Sequence, residues 1–381
     1  MSEHGRRRKS TIWRVLQIGA AVAIIGGIFL AIIPTIAEYG GVWDTVRQLT
    51  FFQIGLLLAA TLLNLVTYWL QSVAAMPGLT LRMGAVQTQT TTTIANTLPG
   101  GGAIAVGVGY GMFKSWGYSE GDVARFAVVT GIWNIYIKLG LPALALGLLV
   151  IEGRTNAGIV TGAAVGLAVL TVSVVLLALI LWKEALARRI GDALARPVSA
   201  VRRRVFHKGE VKGWGEAAVG FRKDTITLLR RRWIALTLTT IVSHLSLFLV
   251  MLACLRVLGI SQDEVSWIET LGVFAFGRLV TALPITPGGL GVVELSYIGG
   301  LVYAGGEKTA VVAAVLLFRA LTYALQIPLG AITYPIWQRT KDRWHRTDRD
   351  EGRSDSSATS KGRAKRGRSA PASRQPSASR T

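Results

Sequence analysis

Cysteine is all but missing from this 381-residue chain: Cys254 stands alone, so no intrachain disulfide can brace the fold. Histidine is nearly as scarce. His4, His207, His244 and His345 lie far apart with no thiol or carboxylate at ligand spacing, so the sequence offers no metal motif and no cofactor is expected. Acidic side chains number 21 against 42 basic ones, and those inside the apolar stretches are too dispersed for a carboxylate cluster or a nucleophile–base pair. Charge as a whole is 17% of the chain, below the roughly one quarter usual in soluble domains. These shortages argue against a disulfide scaffold, a metalloenzyme and a soluble globular enzyme alike.

Apolar sequence is what the chain has in excess. Hydrophobic residues make up 51% of it and its mean hydropathy is +0.45. Blocks run from Val15 to Ile36, Phe51 to Ala75, Val123 to Val150, Ala157 to Leu181, Trp233 to Val257 and Thr309 to Tyr334, each near the roughly 20 residues that cross a bilayer core. The first follows the basic run Arg6 to Lys9 but is too long for a signal-peptide core, so it is expected to stay as an anchor.

The basic residues give an orientation. Five against one acidic in residues 1–14, fourteen against five in 182–232, and thirteen against five in 338–381 account for the entire net charge of +21. The positive-inside rule then puts both termini and the central loop in the cytoplasm, and this bias explains the basicity without a nucleic-acid partner. From Ser354 on, the Ser-, Arg- and Pro-rich tail has nothing to bury and reads as disordered. In the central loop, Trp182, Leu186, Ile190, Ala193 and Leu194 share one helical face among arginines, a pattern suited to an anionic inner leaflet; a solvated basic linker is the alternative.

Parity constrains the rest. Four apolar blocks already bring the chain from the cytoplasmic N-terminus back to the cytoplasmic loop, so residues 77–122 must leave and return on one side. They contain Asn96, Thr97, Leu98 and then Pro99, Gly100, Gly101, Gly102, a helix break between two short halves. Residues 258–308 obey the same logic from the opposite side, with Thr286, Pro287, Gly288 and Gly289 at the break. Each break precedes, by about 40 residues, a proline inside a span, Pro142 and Pro328. The expected fold is therefore all-α: a polytopic integral membrane protein of six to eight transmembrane helices, with two re-entrant broken-helix hairpins in an inverted repeat. Its segments are a basic N-terminus (1–14), a first membrane half (15–181, break at 99–102), a basic loop with an amphipathic helix (182–232), a second membrane half (233–337, break at 287–291) and a basic tail (338–381).

Broken helices free backbone groups at membrane depth, where they serve a ligand or simply make tight buried turns. Val106 to Gly111 reads VGVGYG, like a potassium-channel filter, but Gly107 stands where threonine is needed and the loop enters from the cytoplasm. Gly158, Gly162 and Gly166 form a small-residue face for helix packing. Four charges lie within apolar sequence: Lys138, Arg278, Glu294 and Arg319. A charge near the bilayer centre costs at least about 2.5–3.5 kcal/mol, so such residues pair or line a wet cavity. Lys138 and Arg278 have snorkelling as their bland alternative, and Glu294 with Arg319 a structural ion pair. Three cations against one carboxylate suit an anionic phosphate headgroup.

The run PITPGGLGVVE, Pro284 to Glu294, and FRALTYALQIPLG, Phe318 to Gly330, resemble the signature of the lysylphosphatidylglycerol synthase transmembrane, or flippase-like, family; NTLPGGG, Asn96 to Gly102, is similar to its first motif. The resemblance covers roughly residues 12–337. It implies a multi-pass protein of a bacterial or archaeal plasma (inner) membrane, in a family some of whose members translocate aminoacylated or otherwise modified lipids. Nothing in the 44 residues after Trp337 reads as the soluble aminoacyl-transferase domain of lysyl-lipid-synthesising members. The arginine that many members carry shortly after the first glycines is replaced here by Val106 to Tyr110.

The leading expectation is a non-enzymatic lipid flippase or transporter for an anionic or modified (glyco)phospholipid. The alternatives are a membrane enzyme or accessory protein of lipid or cell-envelope biosynthesis, or a small-solute carrier. The expected partners are a phosphate-headgroup lipid and the anionic inner leaflet, and a homo-oligomer is compatible with the sequence. The candidate substrate contacts are Asn96, Pro99, Gly100, Gly101, Lys138, Arg278, Thr286, Pro287, Gly288, Gly289, Glu294 and Arg319.

Overall fold

The computed structural model describes residues 30, 33, 39–98, 100–153, 157–206, 213–281 and 286–344. The first expected span, Val15 to Ile36, lies almost wholly outside the described residues, as do Pro99 and everything after Trp344. Within them the regular elements are all helical. A short α1 (Tyr39–Arg47) leads into α2 (Phe51–Ala75), the hairpin α3 (Leu81–Thr97) and α4 (Gly101–Ser115), then α5 (Glu120–Ile151) and α6 (Ala157–Trp182). After α7 (Glu184–Phe206) come α8 (Trp214–Val257), α9 (Trp267–Val280) and a 3-10 turn, Pro287–Gly289. The chain then forms α10 (Val292–Tyr303), α11 (Lys308–Arg319), a π turn (Ala320–Ala324) and α12 (Gln326–Thr340). Among the described residues, five continuous helical stretches are long and apolar enough to cross a membrane, the last running from Lys308 to Thr340.

Sequence sets the helix ends. Thr50, Ser119 and Ser266 each open a helix with a capping box, closed by Gln53, Asp122 and Glu269. Glu307 caps α11 through the backbone N–H groups of Thr309 and Ala310, and those bonds hold its carboxyl below the usual range. Pro328 cannot donate a backbone hydrogen bond, and the chain just before it loosens into the π turn, where Leu325 N–H bonds the carbonyl of Ala320, five residues back. Val106 to Gly111 lies inside α4, so its carbonyls belong to a helix and not to a filter. Gly162 and Gly166 let α6 approach Leu146 and Ala143 of α5.

The helices α2 and α8 form the central pair, joined by a seam of buried polar side chains. Asn64 donates to the carbonyl of Ser243 (3.0 Å) and the hydroxyl of Ser246 (3.0 Å), and Gln71 donates to Thr240 (2.9 Å). Farther out, Gln53 meets the carbonyl of Val257 and Arg232 that of Val73. As numbers rise on α2 they fall on α8, so the two run antiparallel. Hydrocarbon offers these groups no water, so each bond holds the register.

Each hairpin hangs from the C-terminal end of one of this pair. The first closes at its base in a cluster of Met76, Leu79, Met83, Phe113, Trp116 and Tyr118, with its break at the far end. The second closes where Glu264 and Val265 meet Gly305 and Gly306. Because α2 and α8 are antiparallel, the hairpins enter from opposite sides, and the two halves exchange partners: α5 packs on α9, and α12 on α3. At the α12–α3 crossing, Gly330 lies so close to Thr93 and the carbonyl of Gln89 that a Cβ would collide with both.

Three boundaries differ from expectation. The helix α8 begins at Trp214, not Trp233, because no proline or other strong breaker interrupts residues 214–257. At the second break α9 ends at Val280 and α10 starts at Val292, with residues 282–285 outside the described residues. At the far end, the helical elements among the described residues continue to Trp344, whose ring lies 6.0 Å from that of buried Trp116. On α7, Ala187, Gly191, Ala195 and Ser199 face inward. Of the expected membrane-surface face, Trp182 and Leu194 are exposed.

Cysteines introduced at exposed Asp263 and exposed Lys223 should label from opposite sides of intact cells, with Asp263 outside. Native Cys254 is buried and contributes no background. Labelling of both positions from one face would contradict the opposed hairpins.

Candidate functional site

The two breaks meet on Tyr323. Its hydroxyl donates to the carbonyl of Asn96 (2.6 Å), at the end of α3, while its ring lies against Gly288 in the second break. Gly288 has φ +61° and no room for a Cβ beside that ring, so only glycine serves there. Arg319, just before the π turn, lies 4.4 Å from the Tyr323 ring centroid, within cation–π range.

Glu294 and Arg319 brace this junction. One Glu294 oxygen accepts from the N–H of Gly291 (2.7 Å), capping α10, and the other from Arg319 Nε (2.6 Å). Arg319 also donates to the carbonyl of Gly288 (3.2 Å). With Glu294 only 1% exposed and Arg319 14%, the pair is shielded from water, and it ties three breaks in helical hydrogen bonding together: the second hairpin's tip, the α10 N-terminus and the π turn.

Beside the brace is a cavity of about 280 Å³. Asn64 and Tyr68 of α2, Gln89, Thr92 and Asn96 of α3, Arg278 of α9 and Thr281 just after it, Tyr297 of α10 and Thr322 of the π turn line it, together with Gly288 and Arg319. Both halves of the repeat thus contribute. Of the expected contacts, the structure gathers Asn96, Arg278, Gly288 and Arg319 at this wall. Gly100 and Gly101 stay outside the lining, at the start of α4. Thr286 turns back on its own loop, donating to the carbonyl of Leu290, while Gly289 and Glu294 lie behind the wall.

Lys138 is not in the wall either, yet it and Arg278 are near enough to repel one another. At 1.5 Å per residue it lies about 27 Å from the start of α5 and about 20 Å from its end. Neither Lys138 nor Arg278 has a carboxylate partner among the described residues, and Arg278 Nε is buried without any hydrogen-bond acceptor. Glu294, the one fully buried acid among them, is committed to Arg319.

Sequence reading missed Asn64, Tyr68, Gln89, Tyr297, Thr322 and Tyr323. A signal was present: Asn64, Thr67 and Gln71 put three polar groups on one face of an apolar 25-residue helix, and α3 reads QTQTTTT where hydrocarbon would favour leucine.

An antiparallel pair carrying two opposed broken hairpins around a charged mid-membrane cavity defines a multi-pass helical membrane protein of inverted-repeat design. Residues 17–330 match the family described as the lysylphosphatidylglycerol synthase TM region, and the chain belongs to that family. No curated protein matches it. Membership associates it with lipid or cell-envelope function at the membrane.

Glu294→Ala strips Arg319 of its partner and α10 of its cap, and should lower stability by about 3–5 kcal/mol. This would register as lost folded protein in gel filtration and a lower thermal midpoint. Pairing Glu294→Gln with Arg319→Met, which removes both charges and keeps a carbonyl for Gly291, should recover most of the loss. No difference between single and double variants would show that the pair is not the brace.

Proposed function

We propose that the protein moves a lipid with an anionic phosphate headgroup between leaflets, and that the cavity between the two breaks receives the headgroup. The observation carrying this reading is the charge imbalance: Lys138 and Arg278 stand in the membrane interior with no carboxylate partner among the described residues. An isolated cation in that setting is costly, and an incoming anion relieves the cost. Phosphate meets the guanidinium of Arg278 through parallel charge-assisted bonds. Gln89 offers a neutral amide in the same wall, and Asn64 and Thr322 add no competing charge there, their own donors being engaged with Ser243, Ser246 and Phe318.

The cavity receives the headgroup while the acyl chains stay in the bilayer. Opposed hairpins converging on one site at mid-depth fit alternating access, in which one half rocks against the other. The reading involves transport without chemistry on the lipid.

In vesicles reconstituted with the purified protein, fluorescent phosphatidylglycerol should flip faster than in empty vesicles. Arg278→Gln should slow this at least about tenfold, the loss expected from one charge-assisted hydrogen bond of about 1.5–3 kcal/mol. Folded yield should not fall, since Arg278 gives up no internal ion pair. Unchanged flipping in this variant, or none by the native chain, would overturn the proposal.

A further inference from the structure

One ionisable side chain in the membrane interior takes no part in this site. His244, on α8, is fully buried, with its ring centroid 6.3 Å from that of Tyr68 in the cavity wall. One helical turn along α8, Leu247 is itself in the lining. Nδ1 lies 3.0 Å from the carbonyl of Thr240. A carbonyl only accepts, so Nδ1 carries the hydrogen and Nε2 presents a bare lone pair. That nitrogen has no partner among the described residues, a rare state for a buried polar atom.

Burial first, and then the charges around it, decide what the lone pair can do. Arg278 of α9 and Lys138 of α5 both act on His244 electrostatically. Tyr68 of α2 and Tyr297 of α10 are neutral, and Arg319 of α11 is already paired with Glu294. In the empty cavity a proton on Nε2 would add a third positive charge to two unpartnered ones. An anion at Arg278 reverses that balance, so proton and anion each favour the other's binding.

We propose that His244 Nε2 is a proton-binding site linked to the cavity, so that a singly charged phosphodiester headgroup enters together with one proton. This rests on the cavity being the anion site. The proton comes from water, is held by the Nε2 lone pair while the anion is bound, and returns to water on the side where the anion leaves. No covalent bond of the lipid changes, and the pair crosses with no net charge.

The test uses detergent-solubilised full-length protein and dihexanoylphosphatidylglycerol, whose phosphodiester stays singly charged from pH 6 to 8. Titration calorimetry in buffers of different ionisation enthalpy counts protons taken up per probe bound. The native chain should take up close to one proton over the part of this range where the empty site is unprotonated. Over that same span, as long as the occupied site keeps its proton, its affinity should fall by up to about tenfold per pH unit, and it should level off once the occupied site loses the proton. His244→Gln and His244→Asn should bind the probe with no uptake and a flat pH profile. Binding without uptake by the native chain overturns this inference and leaves the anion site standing. Uptake persisting in both variants overturns it too, placing the proton on another group. Absence of binding by the native chain overturns the anion site and this inference together.

Discussion

In hydrocarbon a polar side chain has no solvent to turn to, and the whole architecture depends on how α2 and α8 meet that constraint. Asn64, Thr67 and Gln71 find Thr240, Ser243 and Ser246. Sliding either helix by one turn would strand Asn64 and Gln71, while the hydroxyls would keep the carbonyls of their own helices. The seam therefore does what a hydrophobic interface cannot do in lipid, where apolar contacts barely discriminate one register from another. It also fixes the helices antiparallel, and this alone sends the two hairpins in from opposite faces. Exchange of partners between the halves, α5 on α9 and α12 on α3, then closes the assembly around their tips.

At the tips, two electrostatic arrangements stand side by side with opposite characters. Glu294 and Arg319 satisfy one another and nearby backbone, so they add rigidity and leave little charge for a visitor. Arg278 and Lys138 are left without a carboxylate partner among the described residues. A membrane protein that retains such an imbalance pays for it in insertion and stability. The brace makes the imbalance sustainable, because it holds the cavity open without drawing on the charges that face it.

Much of this was legible in the sequence because it rests on local chemistry. Proline and glycine announce a broken helix wherever they fall, apolar length announces a span, and basic loops announce a side. The charges Arg278, Glu294 and Arg319 stood out against an apolar background. The division of labour among them did not, since it depends on a 2.6 Å contact between residues 25 apart. Nor could sequence reveal that Thr286 bends back to Leu290 while Gly288 faces Tyr323. The lining from α2 and α3 was hidden for a related reason: a lone Asn64 or Gln89 reads as a tolerated polar residue until its neighbours are known. The start of α8 at Trp214 was obscured by charge. Basic residues mark where a chain leaves the bilayer, but they are good helix formers and do not end the helix itself.

That unbroken helix has a mechanical meaning. Its 44 residues make a rod of about 66 Å at 1.5 Å per residue, against a hydrocarbon core of about 30 Å. The projecting part carries Arg222, which donates to the carbonyl of Trp182, and Glu216, which pairs with Arg188 of α7. With no proline to absorb a bend, a torque on that basic end tilts the intramembrane part as well, including the seam and His244. The protein thus has a lever between the leaflet surface and its own interior, and the stiffness of one helix sets its gain.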